Sequence, residues 1–151
     1  MRIAVIGTRG IPASFGGVER HVEELYSRLA DKGCEVTIYC RASYIEPVRN
    51  KIEWVKPMRV GRYRNCQIIV SKTPSMKGLE AFVHSFWATL LALRQPYDLY
   101  HYHALGPTLF AFLPMLFSKQ AVATCHGLDW QRGKWGSGAR RFLHFCEWFM
   151  G

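Results

Sequence analysis

RIAVIGTRGIPASFGGVERHVEELYSRLADKGCEVTIYC, residues 2–40, decides the fold. Its first five residues are a short apolar run ending at Gly7, which suits a buried central strand. Residues 7–17 are rich in turn formers. Val18, Val22, Leu25, Tyr26, Leu29 and Ala30 then recur on one face of an α-helix. Glu19, Glu23 and Glu24 stand early in that helix, Arg28 and Lys32 late, and Gly33 stops it, in agreement with the helix dipole and C-cap rules. Glu35 to Cys40 is the next strand. A strand, a glycine loop, a helix and a strand within forty residues make a βαβ unit, with parallel strands and a right-handed crossover.

Outward from this unit the pattern continues. Ile52 to Met58 and Cys66 to Ser71 are expected strands. Lys77 to Gln95 is an expected helix ended by Pro96, with so little polar surface that it is buried or faces a partner or a lipid. Asp98 to His103 is a strand, Pro107 opens a helix through Phe117, Ala121 to Cys125 is a strand, and a last helix covers Ala139 to Met150. The expectation is one α/β domain over residues 1–151, a Rossmann-like parallel sheet with helices on both faces. With 49% hydrophobic and 21% charged residues, the 151-residue chain has the composition of a globular domain, not of a disordered tail. Five cysteines without a C-x-x-C pair read as scattered thiols in a reducing compartment. Arg2 precedes only a four-residue apolar strand, so no signal peptide is expected. The longest apolar stretch, Ala104 to Phe117, is too short for a membrane span and holds Pro107 and Pro114. Both features point to a soluble or peripheral protein.

Of the net charge of +9, +7 falls between Arg41 and Lys77, where nine basic residues face two acidic ones, Glu46 and Glu53. Two readings stay open: an anionic partner such as a membrane surface or a phosphorylated substrate, or a solvated basic loop region. Nucleic acid is not expected, because no helix-turn-helix, RNP or zinc pattern organises the charge.

A dinucleotide fingerprint fails in the first loop. G-x-G-x-x-G is absent, and the second strand ends in Cys40-Arg41 instead of an acidic residue for a ribose hydroxyl. No Walker A sequence occurs. What remains is a long loop closing on Gly16-Gly17 at a helix N-terminus, which is either an anion site for a phosphate or a tight turn. Ligands of open α/β sheets bind beyond the carboxyl ends of the strands. Gly7 to Gly17, His103 with its following residues, and His126 to Asp129 all belong to that edge. His101 and His103 share one strand face, a pattern that can mark a metal, but no carboxylate or cysteine accompanies them at ligand spacing, so no metal is expected. The alternative for such a histidine is a packed, hydrogen-bonded one. Gly127 after His126 allows a ligand to approach closely.

Residues 6–29 (IGTRGIPASFGGVERHVEELYSRL), 96–107 (PYDLYHYHALGP) and 126–136 (HGLDWQRGKWG) together resemble the N-terminal half of glycosyltransferase family 4. More narrowly, they are similar to bacterial rhamnosyltransferase-type proteins that open with TRGIPA…GG. The resemblance implies a GT-B architecture, in which two Rossmann-like domains face each other across a nucleotide-diphosphate-sugar donor. It implies transfer with retention, no cofactor beyond the donor substrate, and no metal. Gly16 and Gly17 match the glycine pair that contacts the donor diphosphate. His126 matches the histidine beside the donor sugar and reaction centre. Arg9, His103, Asp129 and Arg132 fall in matching motifs without an assigned role. The acceptor implied is a glycan or lipid-linked glycan of cell-surface polysaccharide synthesis, handled in the cytoplasm, with the protein peripheral on the inner face of the membrane. The family's second domain carries an E-x7-E element, and no two glutamates here are so spaced. The chain is therefore expected to be the acceptor-side half of an enzyme, without the C-terminal nucleotide-sugar domain and inactive alone. The competing expectation is a non-catalytic Rossmann-like module that docks on a membrane or a partner chain.

Overall fold

The β1 strand, Arg2–Ile6, sits at the centre of the sheet, and its alternation sorts the core into two layers. A computed structural model describes residues 1–14, 16–55, 59–71, 79–127, 131 and 136–150. Ile3 and Val5 pack with Val22 and Tyr26 of α1 (Gly17–Asp31), while Ala4 and Ile6 pack with Ala88 and Ala92 of α3 (Glu80–Ala92). Helices therefore cover both faces. β2 (Glu35–Arg41) pairs parallel with β1, which realises the βαβ unit. A short α2 (Ala42–Ile45) and a 3₁₀ turn (Glu46–Lys51) lead to β3 (Glu53–Val55), β4 (Val60–Tyr63) and β5 (Cys66–Ser71). After α3 come β6 (Leu99–His103), α4 (Leu105–Thr108), a 3₁₀ turn, α5 (Phe112–Leu116), β7 (Gln120–Thr124) and α6 (Ser137–Met150).

The seven strands run in the order β3-β4-β5-β2-β1-β6-β7. The sheet is parallel from β5 through β7, and β4 pairs antiparallel with both β3 and β5. The expected Rossmann-like parallel sheet with helices on both faces is present, with β4 as an antiparallel addition at one edge. β4 and β5 form a hairpin in which Tyr63 pairs with Cys66, and the two turn residues Arg64 and Asn65 both have positive φ, 45° and 61°. That backbone matches the twist of the strands it joins. β3 covers only part of the strand expected over 52–58, of which residues 56–58 lie outside the described residues.

Two helices depart from their expected form. α3 turns its small and polar residues to the sheet: His84, Ser85, Ala88, Thr89 and Ala92 are buried, while Phe86, Trp87 and Leu91 are exposed. The opposing sheet residues Tyr39, Tyr100 and Tyr102 are large, so small helix residues permit close approach. The Ser85 hydroxyl donates to the Ala81 carbonyl at 2.7 Å and the Thr89 hydroxyl to the Ser85 carbonyl at 2.8 Å, which satisfies both groups inside the helix. The helical run expected from Pro107 starts two residues earlier. Pro107 is the third residue of α4, where its missing N–H is one the first turn leaves unpaired anyway.

The basic segment is not a uniform patch. Arg64 pairs with Glu24 at 3.0 Å and Glu23 at 3.3 Å on α1, and Arg49 pairs with Glu46 at 3.5 Å. Arg41 is half-buried, Lys51, Arg59 and Arg62 are exposed, and Lys56, Lys72 and Lys77 lie outside the described residues. Among the described residues no helix is long and apolar enough to cross a membrane.

Candidate functional site

Strand order determines where a ligand enters. From β1 the sheet grows to β2 and β5 on one side, then to β6 and β7 on the other. α1, which follows β1, covers one face, while Phe110 and Ala111, which follow β6, join the core of the other. The β1–β6 junction is thus the switch point, whose carboxyl edge is a crevice. The loops leaving the two strands touch there. Gly7 has φ +94°, and a Cβ on it would overlap the His103 carbonyl oxygen. Only glycine fits. The loop after β1 is fastened by the Glu23 carboxylate, which accepts from Ala13 N–H, and by the Tyr44 hydroxyl, which accepts from Ser14 N–H at 3.0 Å.

The two glycines of the pair differ in kind. Gly16 caps α1 with φ 98° and ψ 141°, a conformation costly for any other residue, and the Glu19 carboxylate folds back against it. Gly17 is the first helical residue, and a Cβ there would meet nothing within 4 Å. No side chain caps the helix. Packing therefore demands glycine at 16 and leaves 17 open. An open groove of about 490 Å³ runs along α1 from Gly17 past Arg20 and His21 to Arg28.

Four histidines meet at the other side of the crevice. His103, fully buried at the end of β6, shares a hydrogen bond through Nδ1 with His126 Nε2 at 2.8 Å and another through Nε2 with the Tyr26 hydroxyl at 2.7 Å. His101 stacks on His103 with ring centres 4.5 Å apart, and its Nε2 shares a hydrogen bond with Thr124 Oγ1 at 2.7 Å. His21, one turn along α1 from Gly17, approaches His126 edge-on at 5.2 Å. Burial, reinforced by the neighbouring histidines, lowers His103 to about 2 and His101 to about 4. Both are neutral at pH 7. These two rings offer hydrogen-bond donors and acceptors, and no store of positive charge.

His103 and His126, singled out from sequence, are in direct contact, and His21 links them to the open Gly17. Arg9 stands apart from the histidines, pairing with Glu19 at 3.8 Å. Asp129 and Arg132 lie outside the described residues. His21, Tyr26 and Thr124 escaped the sequence reading. Tyr26 and Thr124 read as ordinary core and strand residues, but His21 had one signal: it stands four residues after Gly17, on the same helix face. Among the described residues, no three of the His, Cys, Asp and Glu side chains are grouped to hold a metal ion.

Comparison with known proteins adds the family. Residues 15–151 match the model of Glycosyltransferase Family 4. No curated protein matches the chain. Among solved structures, the fold is similar to that of a sucrose-phosphate synthase from Thermosynechococcus elongatus, with a TM-score of 0.64 at 21% sequence identity. The match covers 95% of this chain and 39% of that one, so the chain spans about two fifths of the length of that relative. With the family model matching nine-tenths of its residues and the switch-point sheet beneath them, the chain belongs to glycosyltransferase family 4.

Proposed function

We propose that these residues form the acceptor-side half of a retaining, nucleotide-sugar-dependent glycosyltransferase of the rhamnosyltransferase-type subgroup. The acceptor is a glycan or lipid-linked glycan of cell-surface polysaccharide synthesis. The observation that carries this reading is the meeting of Gly17, His21, His126 and His103 at the switch-point edge of a family 4 chain. In it, the free N–H groups of the first turn of α1 receive the donor diphosphate at Gly17, where no side chain intervenes. Glu19 occupies the Gly16 side, so the anion contacts the Gly17 side of the helix end. His126, held by His103, meets a donor-sugar hydroxyl. No metal takes part in the proposed step.

Leaving-group charge must also be met from the opposite wall, which a nucleotide-sugar domain supplies. The test is a screen of nucleotide-sugar donors with these 151 residues alone and together with the C-terminal half of a family 4 enzyme of the same subgroup, in cis or in trans. Turnover is expected only with both halves. Robust transfer by the 151 residues alone refutes the half-site reading.

Peripheral membrane attachment is part of the same proposal. Lys51, Arg59 and Arg62 supply exposed positive charge, and Leu116, Phe117 and Trp148 supply exposed apolar side chains. Both features suit an anionic membrane surface that presents a lipid-linked acceptor.

A further inference from the structure

A second pocket opens at the same edge of the sheet, lined by Arg9, Arg41, Ser43, Tyr44 and Glu80, with a volume of about 240 Å³. Arg9 lies in the loop after β1, and Arg41 is the last residue of β2. Arg41 N–H donates to the Arg9 carbonyl at 2.8 Å, so the backbone holds the two arginines side by side. The Arg41 Nε is buried and has no hydrogen-bond partner among the described residues. Nor does any described carboxylate come within 4.0 Å of its guanidinium. Glu19 pairs with Arg9 only, at 3.8 Å, and Glu80 accepts a hydrogen bond from Ser43 Oγ at 2.8 Å.

A buried N–H donor left unmet is costly unless something pairs with it. Burial is the main cause that lowers the Arg41 pKa, with Glu80 and Glu19 pulling the other way and Arg9 adding to the fall, and neither carboxylate bonds the buried Nε–H. His84, fully buried, feels the charges of both Arg41 and Glu80 and supplies no anion. Two adjacent guanidiniums with one free, buried Nε–H suit a dianionic oxyanion, to which arginine presents several donors at once. The volume is below the 300–1,000 Å³ usual for a whole small-molecule site, so it fits one charged end of a larger ligand.

We infer that the Arg9–Arg41 pocket binds a phosphoryl group carried by the acceptor. The assignment of that group to the acceptor rests on the transferase reading; the binding of phosphate here does not. Arg9 also links the pocket to the donor side, since its partner Glu19 lies against Gly16.

The test follows the Arg41 Nε–H resonance of the 15N-labelled chain during titration with inorganic phosphate, with sodium chloride at matched ionic strength as control. Saturable movement of that resonance with phosphate and not with chloride is expected. Binding should weaken by about tenfold or more in Arg41→Gln and in Arg9→Gln, each read by thermal shift. Gly17→Val should leave the response at Arg41 intact. If Arg41→Gln does not fold, the wild-type resonance and Arg9→Gln decide. No saturable response, or one that survives Arg9→Gln and vanishes with Gly17→Val, overturns the proposal while leaving the donor assignment standing. Repeating the titration with a sugar phosphate and with phosphatidic-acid vesicles separates a soluble ligand from a lipid headgroup. Saturation by either supports the proposal.

Discussion

The glycine pair allows structural and ligand roles to be separated by stability alone. At Gly17 the helix has already begun, and a Cβ meets open space. Replacing a glycine by alanine in a helix stabilises by up to about 1 kcal/mol, through lower entropy of the unfolded chain and better propensity. In a domain of this size that raises Tm by roughly 2–4 °C. At Gly16, φ is +98° and the Cβ overlaps the Glu19 carboxylate, so alanine should cost about 1–3 kcal/mol, or several degrees. The two neighbours should therefore move Tm in opposite directions, measured by thermal unfolding at pH 7.5. Binding separates them further. If the Gly17 N–H faces the donor diphosphate, Gly17→Ala and Gly17→Val should weaken nucleotide-sugar affinity by tenfold or more, about 1.4 kcal/mol, in a protein as stable as its parent or more so. A merely structural glycine cannot produce that combination. Calorimetry on a two-domain form that shows parental donor affinity for Gly17→Val refutes the assignment, and a large fall in Tm for Gly17→Ala refutes the packing argument beneath it.

Four further outcomes follow from the histidines and the surface. His126→Ala should lower turnover of a two-domain form at least tenfold, about 1.4 kcal/mol in barrier, with Tm nearly unchanged; a large loss of Tm makes it a core residue instead. Tyr26→Phe leaves His103 Nε2 without its partner and should cost about 1–3 kcal/mol in chemical denaturation, while shifting the imidazole 15N resonances of both His103 and His126. His84, His101 and His103 have folded pKa values depressed below the ordinary histidine value of 6.5, so the unfolded chain binds more protons between the two values. Stability is then full above pH 6.5 and falls toward pH 4, with fully buried His84 alone contributing up to about 3 kcal/mol; a Tm flat over that range contradicts neutral burial. Pelleting with liposomes should require anionic lipid and weaken with salt, and equal pelleting on neutral liposomes removes the electrostatic account.

The β1–α1–β2 unit was legible because each signal repeated: apolar runs for strands, a 3.6-residue stripe for the helix, and Gly33 at its end. β4 was not. Val60–Tyr63 is four residues long, and its turn places Arg64 and Asn65 in the left-handed region, where only the asparagine is a conventional signal. α3 was found as a helix but its facing was not, because hydrophobicity alone sends Phe86 and Trp87 inward. The sheet beneath it is lined with tyrosines, and space between layers chose alanine, serine and threonine for the contact. The basic run from Arg41 looked uniform for a related reason. A count along the chain misses that Arg64 crosses to Glu23 and Glu24 of α1. At the edge of the sheet, strand ends announced His103 and His126 through the general rule for α/β sheets. Their mutual hydrogen bond, and the hydroxyl of Tyr26 behind them, depend on register across β6, β7 and α1, which no local pattern encodes.

That register also limits what the cluster can do. Neutral His103 carries one N–H and one lone pair, and both ring nitrogens are engaged. If the Tyr26 hydroxyl donates to His103 Nε2, then His103 Nδ1–H donates to His126 Nε2, and the outer nitrogen of His126 carries a proton. If His103 donates to Tyr26 instead, His126 Nε2 donates inward and its outer nitrogen is an acceptor. For a neutral His126, one proton position inside the core thus sets whether its outer nitrogen carries a proton or a lone pair. Neither arrangement lets His103 take up charge, because burial and the adjacent rings hold it far below neutrality. His103 therefore supplies no positive charge to the crevice. In the proposed transfer, charge on a leaving diphosphate falls to the oriented N–H groups at the start of α1 and to the opposite wall. In that proposal the histidines recognise a hydroxyl, and the sense of the hydrogen bond is decided at Tyr26, behind His103 and His126.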